Sequence, residues 1–112
     1  MHSNIEIYKC FDILNYMVHD KTTQTVVLLK ALADDIRLGI VRDIARQPEA
    51  VASCDIVGGC ARRTKLSQPA MSHHFKRLVD AEILLVEKHG TENRYRCNTE
   101  LLHRHGIDIA KL

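Results

Sequence analysis

Five residues in one short stretch, Gln68, Ser72, His73, Lys76 and Arg77, carry side chains able to read and grip a nucleic acid. A side-chain amide pairs with a base edge, hydroxyl and imidazole groups bond to base edges, and ammonium or guanidinium groups neutralise phosphates. Their positions recur at helical spacing, so the whole set shares one side of a helix. Met71, Phe75, Leu78 and Val79 follow the same period on the other side, as a buried face would. A second cationic group, Lys88, His89, Arg94 and Arg96, lies farther along. The remaining reactive groups are the thiols of Cys10, Cys54, Cys60 and Cys97, whose thiolates would suit soft ions.

The elements that must position these groups are legible in outline. Ser67 supplies a capping hydroxyl, and Pro69 is tolerated in a first turn, where its missing N–H has no intrahelical partner. A helix is therefore expected to open at Ser67-Gln68-Pro69. Next come Ile83-Leu84-Leu85-Val86-Glu87-Lys88, then His89-Gly90-Thr91, then Glu92-Asn93-Arg94-Tyr95-Arg96-Cys97. Two β-prone runs around a glycine-containing turn predict a hairpin, with the second cationic group at its tip and on its second strand. Upstream, Ile7, Phe11, Leu14 and Val18 make a helical apolar stripe, and Leu28, Leu29, Leu32 and Ile36 predict a second helix. Asp34 or Asp35 can cap a third, carried by Ile36, Ile40, Val41 and Ile44 and stopped by Pro48. Ser53 can cap a fourth through Ile56, Val57, Cys60 and Ala61, although Gly58 and Gly59 cost it about 1 kcal/mol each relative to Ala. Helix, turn, helix and basic hairpin make a winged helix-turn-helix, mainly α with a small β-hairpin.

Length and composition agree. At 112 residues there is room for one compact domain. With 46% hydrophobic and 27% charged residues, the chain is too apolar for a disordered one. Its longest apolar runs are four residues, Val26–Leu29 and Ile83–Val86, against about 20 for a membrane span. Glu6, Lys9, Asp12 and Asp20 leave no apolar signal core near the start, so a cytoplasmic protein with reduced thiols, away from membranes, is expected. The net charge is only +2, yet residues 62–96 hold eight Lys and Arg against four Asp and Glu. A phosphate-facing surface needs such a concentration. No His-Glu-x-x-His, phosphate loop or nucleophile elbow is present, which argues against an enzyme. The rival reading is a winged helix used only for protein contacts.

Three stretches resemble one family. ALADDIRLGIVRDIA (31–45) is similar to the opening pattern of the ArsR family of metalloregulatory repressors. LSQPAMSHHFKRLVDAEIL (66–84) resembles its helix-turn-helix, and HGTENRYRC (89–97) its wing. The resemblance implies a homodimer joined through its first and last helices, binding double-stranded DNA at an inverted repeat and released by an effector. It divides one domain over 1–112 into a dimerisation helix at 1–20, a helix-turn-helix at 53–82, a wing at 83–97 and a C-terminal helix at 99–112. Ser67 and Gln68 then open the recognition helix, with Ser72 and His73 facing DNA. His74, Phe75 and Leu78 match structural positions of the family motif, which makes His74 a packed, hydrogen-bonded residue rather than a ligand.

The departures from the family pattern are specific. Glu82 stands where the family has Gly after the recognition helix, and a left-handed backbone there would add roughly 1 kcal/mol of strain. The arsenic repressors carry Cys-Val-Cys-Asp-Leu where this chain has Ala52-Ser53-Cys54-Asp55-Ile56, so one thiol of two is kept. At the Asp-x-His of the zinc sensors it has Thr99 and Leu101. His103 and His105 would point about 200° apart on a helix and cannot share an ion. Cys60 falls at an apolar core position and Cys97 at the end of the wing. If a thiol effector site exists, Cys54 with Cys10 is the expected pair, and a soft metal ion or arsenite the expected ligand.

Overall fold

The computed structural model describes residues 21–52, 55 and 66–112. The expected first helix, the helix after Ser53, and Cys10, Cys54 and Cys60 lie outside the described residues. Among the described residues the order is α1 (Lys21–Leu32), α2 (Asp35–Ala45), β1 (Val51–Ala52), α3 (Gln68–Asp80), β2 (Leu84–His89), β3 (Glu92–Cys97) and α4 (Thr99–Arg104), then a 3-10 turn at Ile109–Lys111.

Local chemistry sets the boundaries. Asp34, extended at φ −155°, accepts from the N–H groups of Ile36 at 2.9 Å and Arg37 at 3.0 Å, which separates α1 from α2. Ile36 therefore belongs to α2 rather than α1. Pro48 lies beyond the end of α2, which closes at Ala45 with an Arg46 cap. Ser67 accepts from Ala70 N–H at 3.3 Å and Pro69 sits in the first turn, so α3 opens as expected. Its far end is a left-handed cap: Glu82 N–H donates to Val79 at 2.9 Å and Ile83 N–H to Leu78 at 3.0 Å. Glu82 has φ +65°, the left-handed backbone that glycine takes without strain.

The C-terminal helix is shorter than expected. In place of one helix over 99–112, α4 stops at Arg104. Gly106, at φ +75°, turns the chain so that its N–H donates to His103 and Ile107 N–H to Leu102. Ile107 and Leu102 are both buried, which draws the turn onto the core. The sheet also has a strand more than expected, with antiparallel order β1-β3-β2. Val51 and Ala52 pair with Tyr95 and Arg94, tying the chain after α2 to the wing.

One core holds these elements. Ile40 and Val41 of α2, Met71 and Leu78 of α3, Ile83 before the sheet and Leu102 of α4 have no exposed surface. Each such side chain contributes about 1.5–3 kcal/mol on burial. Phe75 of α3 meets Tyr95 of β3 with ring centroids 4.9 Å apart, which seats the helix against the sheet. At the other end, Thr25 donates to the Lys21 carbonyl at 2.8 Å, so its oxygen accepts from His105 Nδ1–H at 2.6 Å. This bond holds α1 to the end of α4. Val26, Val27 and Leu29 of α1 stay exposed.

Candidate nucleic-acid interface

Because α3 buries Met71, Phe75 and Leu78, its other side is turned outward. Ser72, His73, Lys76 and Arg77 are exposed along the side of α3 turned from the core, and Gln68 is exposed in its first turn, in line with Phe75 rather than with Arg77. Ser67 lies at the helix mouth; its oxygen accepts the capping bond, and its O–H remains able to donate. Lys76 Nζ is 2.9 Å from Asp80 one turn on, but both side chains are more than half exposed, so the pair is weak and readily exchanged for a phosphate. Arg77 makes no ion pair among the described residues. His74, between the exposed groups, turns inward instead, with Nδ1 3.4 Å from Arg37 Nη1.

The wing is an antiparallel hairpin in which His89 pairs with Glu92, leaving the two-residue turn Gly90-Thr91. Gly90 has φ +67°, a conformation that tight hairpin turns require and glycine takes without strain. His89 thus ends β2 rather than sitting in the turn. The register divides the expected wing cations between two faces. Glu87, His89, Glu92, Arg94 and Arg96 share one face, while Lys88 lies on the other with Asn93, Val86 and Tyr95.

Charge separates the two faces further. Arg94 Nε is 3.0 Å from Glu92, and Glu87 serves both Arg96 Nε at 3.3 Å and His89 Nε2 at 3.4 Å. That face is largely self-compensated. Lys88 makes no ion pair among the described residues and stands opposite the neutral Asn93. It also projects from the face whose Tyr95 packs on Phe75, the side on which α3 lies. Lys88, His89, Arg94 and Arg96 are thus not one set: Lys88 is the open cation of the wing, with Asn93 beside it. The place of Asn93 beside Lys88 has no signal in the sequence, because it depends on the register of the hairpin.

Elsewhere among the described residues, Cys97, His103 and His105 have identifiable surroundings. Cys97 is buried at the base of the wing, and burial pushes its thiol up to about 11, so at neutral pH it is not the thiolate a soft ion needs. His103 lies 4.0 Å from Asp108, while His105 is turned to Thr25. Among the described residues, no group of three His, Cys, Asp or Glu side chains is placed to hold a metal. No helix among them is long and apolar enough to cross a membrane.

This arrangement has known counterparts. The arsR family of bacterial regulatory proteins matches residues 34–86, the span from the Asp34 cap into the first wing strand. The arsenical resistance operon repressor of Staphylococcus xylosus is 39% identical over 75 residues, which are 67% of this chain and 66% of that protein. The chain thus spans about two thirds of that relative's length. An ArsR-like transcriptional regulator from Rhodococcus sp. RHA1 shares the fold at a TM-score of 0.61 and 22% identity, over 76% of this chain and 74% of its own. So does the homodimeric winged helix-turn-helix DNA-binding domain Mb0332 from Mycobacterium bovis, at 0.56 and 22%, over 76% and 74%. With its capped reading helix, its hairpin and the matched span in the same order, the chain belongs to the arsR family of bacterial regulatory proteins.

Proposed function

We propose that this protein is a sequence-specific, DNA-binding transcriptional regulator that acts as a repressor and works as a homodimer in the cytoplasm. The observation that carries this reading is the exposed surface of α3, where Gln68 in the first turn and Ser72, His73, Lys76 and Arg77 after it stand clear of the buried Met71, Phe75 and Leu78. A helix of 13 residues fits a major groove, and the wing beside it reaches the neighbouring backbone. The name of the Staphylococcus relative, an operon repressor, supports the sign of regulation, and the homodimeric Mycobacterium domain supports the assembly. Both relatives bear the names of regulators rather than enzymes. The test selects duplexes from a random pool and measures affinity for the winner and for scrambled DNA over a range of salt. Expected are a clear sequence preference and an affinity that falls steeply with salt. Equal, salt-independent binding to both would favour a winged helix used for protein contacts.

The effector belongs to the same proposal. Thiolates of Cys54 and Cys10 would bind a soft metal ion or arsenite and shift the dimer toward a form with lower DNA affinity. The arsenical relative supports that chemistry. In reduced buffer, arsenite or cadmium should release DNA from the wild type and not from Cys54→Ser. Equal release from wild type, Cys54→Ser and Cys10→Ser, or from none of them, would remove the thiols from the mechanism.

A further inference from the structure

Arg37 is the buried charged residue among the described residues, with 7% of its surface exposed. A guanidinium is costly to bury unless its donors are met, and here they are met from three directions. Nε donates to the Ala31 carbonyl at 2.6 Å and Nη2 to the Lys30 carbonyl at 3.4 Å, two of the carbonyls that the end of α1 leaves without helical partners. Nη1 lies 3.5 Å from the Asp34 carboxylate that caps α2. The same nitrogen donates to His74 Nδ1 at 3.4 Å, on the inner side of the recognition helix. A guanidinium cannot accept a hydrogen bond, so His74 must accept, which places the imidazole proton on Nε2. One side chain therefore joins the end of α1, the start of α2 and the middle of α3.

The apolar contacts of α3 do not fix its orientation as sharply. Met71, Phe75 and Leu78 set how deeply the helix sits, but dispersion contacts are non-directional and let a helix rotate or slide slightly. A hydrogen bond at its middle resists both motions. His74 follows His73 directly and lies within two or three residues of Ser72, Lys76 and Arg77, so rotation at His74 swings the whole reading flank. We infer that Arg37 is a positioning residue for DNA recognition, setting the rotation of the reading helix through His74 and holding it to the two helices before it. This rests on the DNA-reading role of α3 proposed above. It adds that the fidelity of reading depends on a residue with no place at the DNA surface.

The test compares acceptor-keeping and acceptor-deleting substitutions, because Arg37 variants themselves risk unfolding. His74→Gln retains a side-chain oxygen able to accept from Arg37, whereas His74→Leu has similar bulk and no acceptor. Two readings are taken of each folded variant: affinity for the selected duplex, and amide hydrogen exchange along α1, α2 and α3 without DNA. For His74→Leu we expect affinity about tenfold weaker and faster exchange concentrated in Met71–Asp80. His74→Gln should stay within about twofold of wild type in both. The inference is overturned if Leu matches wild type in exchange, or if Gln loses as much as Leu. Exchange is read without DNA, so a failure of the tie is distinguishable from a failure of the DNA-binding reading.

Discussion

Among the described residues, Glu82 is the non-glycine residue with a left-handed backbone, and its place is conspicuous, at the joint between the reading helix and the wing. The conformation persists because its neighbours over-determine it: its N–H bonds to Val79, its carbonyl accepts from Asn98 Nδ2 at 3.0 Å, and Ile83 beside it is fully buried. Its side chain is exposed, so a substitution there changes backbone strain and little else. Glu82→Gly should raise stability by up to about 1 kcal/mol, the strain relieved less the greater freedom of glycine in the unfolded chain. Urea unfolding of the two proteins measures it, and a less stable glycine variant would contradict the strain. Asp34 sets a pH dependence. Burial alone would raise its pKa, but hydrogen bonds from the Arg37 and Ile36 N–H groups and the nearby Arg37 guanidinium outweigh that and hold it below the ordinary 3.8. A depressed carboxylate contributes stability that is present above its unfolded pKa and lost as pH falls through the folded one. Asp34→Asn keeps a capping oxygen without the charge. Its stability deficit against wild type should shrink as pH falls from about 5 to about 2, and a constant deficit would show that the charge contributes nothing.

At the scale of elements, the start of α3 is readable in the sequence because a cap and a proline act locally, through residues adjacent in the chain. The end of α4 is harder to read. Gly106 stops that helix only because Ile107 can fold back beside Leu102, a tertiary contact that the run 99–112 does not advertise. β1 has two residues, too few for any alternation, and exists because Tyr95 and Arg94 offer it a partner. Arg37 falls in the same class: an arginine in an amphipathic helix reads as a surface cation until its partners 6, 7 and 37 residues away are known. The reading face was legible because helical periodicity fixes it, whereas the wing was legible only as a basic hairpin, since pairing and register decide which cations stay open. That difference revises what the wing variants should do. Lys88→Ala should weaken binding to all sequences alike and lower the salt slope by about one, while Arg94→Ala, whose charge Glu92 already shares, should lower it by less. Gln68→Ala should instead alter preference at one base pair by about 1–3 kcal/mol. Competition binding over a salt series separates the three, and a larger slope change for Arg94→Ala than for Lys88→Ala would reverse the assignment of the wing faces.

For the whole molecule, one helix that reads and one hairpin that grips offer few contacts, and a net charge of +2 supplies little long-range attraction. The proposed dimer would raise affinity by doubling the unit rather than by enlarging it. A two-fold dimer presents two copies of α3 on one side of the assembly, and the distance between them fixes the spacing of half-sites at about one DNA turn or a multiple. Nothing in the binding of either half is altered by inserting DNA between them, so spacing tests the assembly independently of the contacts. Adding about 5 base pairs, half a helical turn, between the half-sites of the selected duplex turns the second one to the far side of the helix. A rigid dimer then engages one half-site and one non-specific stretch, and affinity should fall toward that for a duplex carrying a single half-site. Adding about 10 base pairs restores the facing but lengthens the span by a full turn, and a dimer of fixed reach should recover little. Fluorescence anisotropy on the three duplexes, beside light scattering of the free protein, gives the answer. Equal affinity for all three would mean that each chain reads DNA on its own, and the two-fold assembly would have to be abandoned while the reading helix stood.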